Sequence, residues 1–381
     1  MTRPIIGRVA PERWRTIGAT APGQRTVGEP GTARIAVDLL GGDQAPAVVV
    51  DGALRACQAD PALQLLLVGP VEAAGEVLAA LAPADRARVR SITAPADRAD
   101  LARATLGPAT PGRAIPDPTP PGPASPSRAD ETGAGGQSAA DRPTRAADSW
   151  VESAVRAAVL AVAQGHADAA VSAGNTGATV TSAALGLGRW PEVRRPALAA
   201  VLPSAAGRII LLDVGSSVDP DEQTLAMHAR LGAAYARLVH DVAEPRIGLL
   251  TIGTERGKGD RLRRAAPAVL AGTALPAGRY VGLVEGNDVV SGGPADVVVT
   301  DGFTGNVLLK GLETAYALTG PPGPDLPPRA AVLLGVSGTV VVCHGSASGT
   351  DLAAGIALAA DLHRRSAVTA IGTLLTREVT P

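Results

Sequence analysis

Short apolar runs ending in glycine or a small polar residue recur along this chain, each followed by an Ala-, Leu- and Arg-rich stretch of helical spacing. That alternation constrains the fold more than any other feature, because strands punctuated by helices pair in parallel through crossovers. Eight runs are candidate strands: Arg34–Asp38, Leu65–Val68, Ala169–Ser172, Ile209–Val214, Ile247–Ile252, Tyr280–Val284, Val297–Thr300 and Thr339–Cys343. Several are bounded like strands buried on both faces. The expected fold class is α/β, a doubly wound, mostly parallel sheet of Rossmann-like α/β/α form, with ligand at the carboxyl ends of the strands.

Three stretches interrupt this pattern. Residues 1–32 form an Arg/Pro/Gly-rich arm, and an insert from about Gly107 to Arg145 is dominated by Pro, Gly, Ala, Ser and Thr without either periodicity, so disorder is expected in both. The third is GPPGPDLPPR, Gly320–Arg329, a tight irregular connector. The α/β domain is therefore expected to span residues 33–381, with the insert as a surface excursion.

With 46% hydrophobic residues and a formal net charge of -1, the chain can bury a large core, reads as a soluble globular protein and offers no broad basic footprint. Aromatic residues are 2%, so stacking platforms for single-stranded nucleic acid are scarce, and nucleic acid is excluded as a partner. Cys57 and Cys343 have no partner at metal-ligand spacing, which excludes a zinc site or a disulfide framework and fits a cytoplasmic location. Arg, Pro and Gly interrupt the first residues before a signal-peptide apolar region could form, and no later run approaches the roughly 18 residues of a spanning helix. No metal and no cofactor are expected.

The loops after the strands carry the chemistry. Ser172 is followed by AGNTGA, which sets Asn175, Thr176 and Gly177 where a helix begins, and unpaired amides there can hold an anion. VVVTDGFTGNVLLK sets Asp301, Thr304 and Asn306 at the corresponding position of a second unit. The same residue types serve elsewhere as plain caps and turns. RIGLLTIGTERGKGD sets Thr254, Glu255 and Lys258 in a glycine-bearing loop. It is not a P-loop: Gly253 and Gly257 enclose three residues rather than four, and Gly259 stands where Ser or Thr would bind magnesium. Asp38, Gly42 and Asp43 lie in DLLGGDQAP, Asp213 in LLDVGSSVDP, and His344 and Ser346 in HGSAS. Cys343 and the adjacent His344 point to opposite faces of a strand, so they form no nucleophile and base pair.

Rare residues concentrate in these loops. Both lysines, Lys258 and Lys310, the only phenylalanine, Phe303, and all three asparagines, Asn175, Asn287 and Asn306, fall there. In a chain that otherwise uses Arg as its base, a retained Lys points to the properties of an ammonium, whose pKa can shift. Lys310, one turn into a helix, reads as a surface charge.

Taken in order, RIAVDLLGGDQAP, VSAGNTGA with LGLGRWPEVRRPALA, LLDVGSSVDP, RIGLLTIGTERGKGD, VEGNDVVSGGPADVVVTDGFTGNVLLK and LLGVSGTVVVCHGSAS resemble the motif series of PlsX phosphate acyltransferases over most of residues 33–381. That resemblance implies a fold similar to isopropylmalate dehydrogenases and phosphotransacetylases. It implies transfer of a fatty acyl group from an acyl carrier protein thioester to inorganic phosphate, feeding phospholipid synthesis. Phosphate would sit at the helix start around Asn175 and Thr176, with Lys258 and Asn306 as the catalytic pair that stabilises developing charge. Asp38, Gly42, Asp43, Ser172, Gly177, Asp213, Thr254, Glu255, Asp301, Thr304, His344 and Ser346 are the further substrate-binding candidates. The family also implies a homodimer and peripheral contact with the inner face of the membrane. Two departures bear on this: Gln44 stands in place of the family's His, and Gly320–Arg329 replaces most of a longer helical stretch associated with both dimer and membrane contact.

Two alternatives stay open at the level of sequence. A phosphotransacetylase-like enzyme would take acyl-coenzyme A by the same chemistry, and a degenerate, non-catalytic protein would merely bind carrier protein or phosphate. A hydride-transferring dehydrogenase is the least favoured reading, because no dinucleotide fingerprint follows the first strand.

Overall fold

All eight apolar runs are strands, and three further strands join them, in a computed structural model that describes residues 31–94, 154–255, 257–322 and 327–377. The insert expected at about 107–145, and the arm at 1–32 apart from Gly31 and Thr32, lie outside these residues. In chain order the strands are β1 (Ala33–Asp38), β2 (Leu63–Val68), β3 (Val89–Ile92), β4 (Ala169–Ser172), β5 (Ala197–Ser204), β6 (Gly207–Leu212), β7 (Arg246–Leu250), β8 (Arg279–Val284), β9 (Val297–Val299), β10 (Ala330–Leu334) and β11 (Thr339–Cys343). They form one sheet in the order β3-β2-β1-β4-β11-β10-β5-β6-β9-β7-β8. Pairing is parallel except at the centre, where β10 runs antiparallel to β11 and β5, and β5 antiparallel to β6. The expectation of a mostly parallel α/β sheet is met, and the central reversal is what the apolar runs did not disclose.

Alternate residues of each strand enter opposite cores. Ile35, Val171, Leu212 and Val299 meet helices α1 (Ala47–Ala59), α6 (Glu222–Val239), α10 (Gly349–Arg364) and α11 (Ala367–Arg377). On the other face Ala36 and Leu66 meet helix α4 (154–163), while Leu198, Leu211 and Val342 meet α5 (Thr176–Gly186) and α9 (Gly302–Thr319). The remaining helices are α2 (Val71–Ala80), α3 (Pro83–Arg86), α7 (Arg261–Ala271) and α8 (Gly286–Ser291). The result is a three-layer α/β/α sandwich, which is why these strands lack the alternation of a half-exposed sheet.

The reversal divides the sheet into two halves built on one plan. Arg34 of β1 donates its Nε, one Nη and its backbone N–H to Asp168, and the other Nη to Gly165 O. Arg246 of β7 makes the same set with Asp296 and Gly293 O. The registers agree as well: Ile35 faces Ala169 as Ile247 faces Val297, and Val37 faces Val171 as Leu249 faces Val299. Leu39 N donates to Val68 O as Thr251 N donates to Val284 O. The loop entering α5 in the first half thus corresponds to the loop entering α9 in the second.

Candidate active site

In each half a buried carboxylate shapes the loop at a strand's end. Asp38, 1% exposed, accepts from Ser172 Oγ at 2.7 Å and from Leu40 N, while Ser172 Oγ accepts from Gly174 N, so the turn before Asn175 is pinned to β1. Burial pushes the Asp38 carboxyl up to about 6, although the Ser172 hydroxyl and the amides of Leu40 and Gly41 oppose that rise. Asp213, fully buried after β6, accepts from the amides of Leu198, Gly215, Ser216 and Ser217, and burial raises it too. These three sequence candidates, Asp38, Ser172 and Asp213, hold loops in place and have no surface to offer a substrate.

Asp301 is different. It caps α9 through Thr304 N at 2.8 Å and takes an ion pair from Arg263, whose guanidinium also reaches Asp260, Thr300 Oγ1 and Leu250 O. Burial would raise its carboxyl, but the Thr304 amide and hydroxyl and the Arg263 guanidinium outweigh it and hold Asp301 below the usual range. Asn175 caps α5 by accepting from Ala178 N at 3.0 Å, so its side chain is turned onto its own helix.

The two halves meet at Gly215. Its φ of +140° suits glycine, and a Cβ there would come 3.2 Å from Asn306 Nδ2 and 3.6 Å from Thr176 Cγ2. Asn306 Nδ2 donates to Val214 O at 3.0 Å, which fixes the amide and leaves its second hydrogen for another acceptor. Beside it opens a cavity of about 220 Å³ over the reversed centre of the sheet. Its walls are apolar: Leu198 and Leu202 of β5, Val214, Leu309 and Tyr316 of α9, and Val342 of β11. Its polar groups are Thr176, Asn306, His344, Glu313 and Arg329. A second, open and acidic cavity of about 570 Å³ lies among Asp219, Asp221, Glu222, Asp260, Arg263, Asp301, Phe303 and Thr304.

The structure therefore gathers Thr176, Asn306 and His344 around one cavity and puts Asp301 and Thr304 in the next. Gly177 follows Thr176 on α5, and Asp43, whose backbone N–H donates to Gly345 O at 2.7 Å, ties the first loop to the one carrying His344 and Ser346. Gly42, beside Asp43, has φ +113° and packs on Ala173, a turn position that glycine serves. Thr254, Glu255 and Lys258 stand exposed in the loop after β7 and line neither cavity. Lys258 makes no ion pair among the described residues, and Lys310 is a surface charge as expected. Among the described residues no group of three or more His, Cys, Asp or Glu could hold a metal ion. Sequence reasoning missed Glu313, Arg329, Arg263 and the apolar walls. Arg263 carried no signal, being one arginine among many; Glu313 lies two turns beyond the motif that contains Asn306, at a spacing that returns it to the same helix face.

The model of a family described as "Fatty acid synthesis protein" matches residues 33–97 and 136–320. The phosphate acyltransferase of Thermobifida fusca is 39% identical over 357 residues, covering 86% of this chain and 87% of that protein. That of Bacillus subtilis is 36% identical over 282 residues, 74% of this chain and 71% of the relative. The chain belongs to the PlsX family of phosphate acyltransferases. In fold, this PlsX member is similar to a phosphotransacetylase from Streptococcus pyogenes, with a TM-score of 0.56 at 19% identity over 89% of this chain and 94% of that one. As an acyltransferase, the PlsX chain needs a site for an acyl group next to polar groups that manage oxyanions.

Proposed function

We propose that the enzyme transfers a long-chain fatty acyl group from the thioester of acyl carrier protein to inorganic phosphate, giving an acyl phosphate for phospholipid synthesis. The observation that carries this reading is the apolar cavity over β5, β10 and β11 with an amide, a hydroxyl and an imidazole at its polar end. A fatty chain buries its methylenes there at about 0.8 kcal/mol each. Phosphate oxygen attacks the thioester carbon, the C–S bond breaks, and the proton of hydrogen phosphate is left with the carrier thiol. Negative charge grows first on the carbonyl oxygen and then on sulfur. The free hydrogen of Asn306 Nδ2 meets the first, and Lys258, on a flexible stem in the neighbouring loop, swings in to orient phosphate and offset its charge. Amides at the start of α5, around Thr176, complete the phosphate site.

Phosphate is itself the nucleophile, so no covalent enzyme intermediate is required. The partners in this reading are acyl carrier protein and phosphate, with the reaction in the cytoplasm. Phe303, Val307 and Leu318 lie exposed on one side of α9, 62%, 59% and 81% accessible, and support pairing of two copies there. No described helix is long and apolar enough to cross a membrane. Membrane contact at the inner face would need the stretch that Gly320–Arg329 replaces.

The test is phosphate-dependent thiol release from palmitoyl carrier protein against palmitoyl-coenzyme A. Release from the carrier supports the proposal, release from coenzyme A alone makes the protein a phosphotransacetylase-like enzyme, and release from neither leaves a binding protein.

A further inference from the structure

The loop after β11 fixes the protonation of His344. Ser346 N–H donates to His344 Nδ1 at 3.2 Å, and Ser346 Oγ lies 2.7 Å from the same nitrogen. A backbone N–H can only donate, so Nδ1 must present its lone pair, and the ring proton sits on Nε2. That Nε2 is buried and has no hydrogen-bond partner. Glu313 Oε2 is 3.9 Å away, beyond hydrogen-bond range. A buried donor without an acceptor is destabilising on its own, and this one belongs to a ring lining the cavity shared with Thr176 and Asn306.

We propose that His344 is held as a neutral Nε2–H donor that gives its hydrogen bond to a substrate oxygen, the oxygen of phosphate or of the thioester carbonyl, and does not carry the proton between them. This rests on the reaction proposed above. Charged groups face the ring. Glu313 on α9 is next to it, Arg329 before β10 reaches both Glu313 and Asp351 of α10 at 3.8 and 3.7 Å, and Asp43 abuts Gly345. An imidazolium would set Nδ1–H against the Ser346 N–H.

The experiment combines two readouts on the full chain. In ¹⁵N-histidine spectra, with the H344Q spectrum assigning the signal, a ring protonated on Nε2 and not on Nδ1 is expected, and it should shift on addition of inorganic phosphate or palmitoyl carrier protein. In thiol release, H344A is expected to lose about 100-fold in turnover, as for removal of one oxyanion donor. H344Q, whose amide nitrogen replaces Nε2–H, should recover most of that loss with an unchanged pH profile. A rise in KM for phosphate in H344A identifies phosphate as the acceptor, and a fall in kcat alone identifies the carbonyl oxygen. A cationic or Nδ1-protonated ring, or an H344Q variant as slow as H344A, overturns the proposal. Should the unsubstituted protein release no thiol, the proposed function falls, and the spectra still decide this inference: a ring of the wrong tautomer, or one unmoved by either ligand, overturns it.

Discussion

Where β1 and β4 end side by side the first half of the molecule buries a lone carboxylate, Asp38, against the Ser172 hydroxyl, whereas at the end of β9 the second half buries an ion pair, Arg263 with Asp301. The backbone frame is shared. Asp38 corresponds to Leu250, Ser172 to Thr300, Ala173 to Asp301, Thr176 to Thr304 and Ala178 to Asn306, by the registers of β1 with β4 and β7 with β9. One consequence is local: Asp301 caps α9 at once, but Ala173 cannot, so α5 waits two residues for Asn175. The other consequence is chemical. The second half carries a fixed charge pair and the donor Asn306, while the first carries a carboxylate that burial can keep neutral, beside amides suited to an anion. One frame thus yields two unlike walls of a site.

The largest expected effect tests the second half. Arg263→Met leaves Asp301 buried without its cation and should cost about 3–5 kcal/mol in urea unfolding. Arg263→Met with Asp301→Ala, which copies the first half's Ala173, should recover most of that, because no unpaired charge remains. A single variant as stable as the parent would mean that the ion pair does not distinguish the halves.

Asp38 of the first half responds to pH in the opposite sense to Asp301, and in the same sense as the buried Asp213. The folded Asp38 carboxyl stands at about 6 against an ordinary 3.8, so between those values the folded state keeps a proton that the unfolded state has lost. Stability contributed by this group therefore falls as pH rises from about 4 to 6 and is level above that. Asp38→Asn does not titrate. Its unfolding free energy relative to the parent should improve between pH 4 and 7 by up to about 3 kcal/mol. Asp301, held low, contributes stability that is lost only as pH falls through its folded value. A difference between Asp38→Asn and parent that stays flat over this range would remove the contrast.

Legibility from sequence followed how each residue type is used. Eight apolar runs were readable because buried strands need an unbroken apolar stretch. β5 and β10 were not: ALAAVLPS is Ala-rich and contains Pro203, and AAVLL directly follows the Pro-rich connector. Those two strands make the central reversal, which local periodicity cannot encode because pairing direction depends on distant partners. Asn306 stood out because asparagine is rare here, whereas Arg263 was invisible among abundant arginines. The duplicated plan was written in Arg34-Ile35 and Arg246-Ile247, and in Ala167-Asp168 and Ala295-Asp296, but loops of unequal length separate the copies.

The smallest change tests whether the two walls act as one site. Gly215, in the loop after β6, lies between Thr176 of the first half and Asn306 of the second, and its φ of +140° is one that an L side chain rarely adopts. Gly215→Ala should cost about 1–3 kcal/mol of backbone strain. The added methyl would also press on Asn306 Nδ2 at 3.2 Å, and that amide already donates to Val214 O, so it cannot yield without losing a hydrogen bond. Turnover in thiol release should therefore fall further than stability does. If Gly215→Ala lowers the melting temperature and leaves turnover untouched, Asn306 does not act at the junction, and the two halves share a sheet without sharing the chemistry.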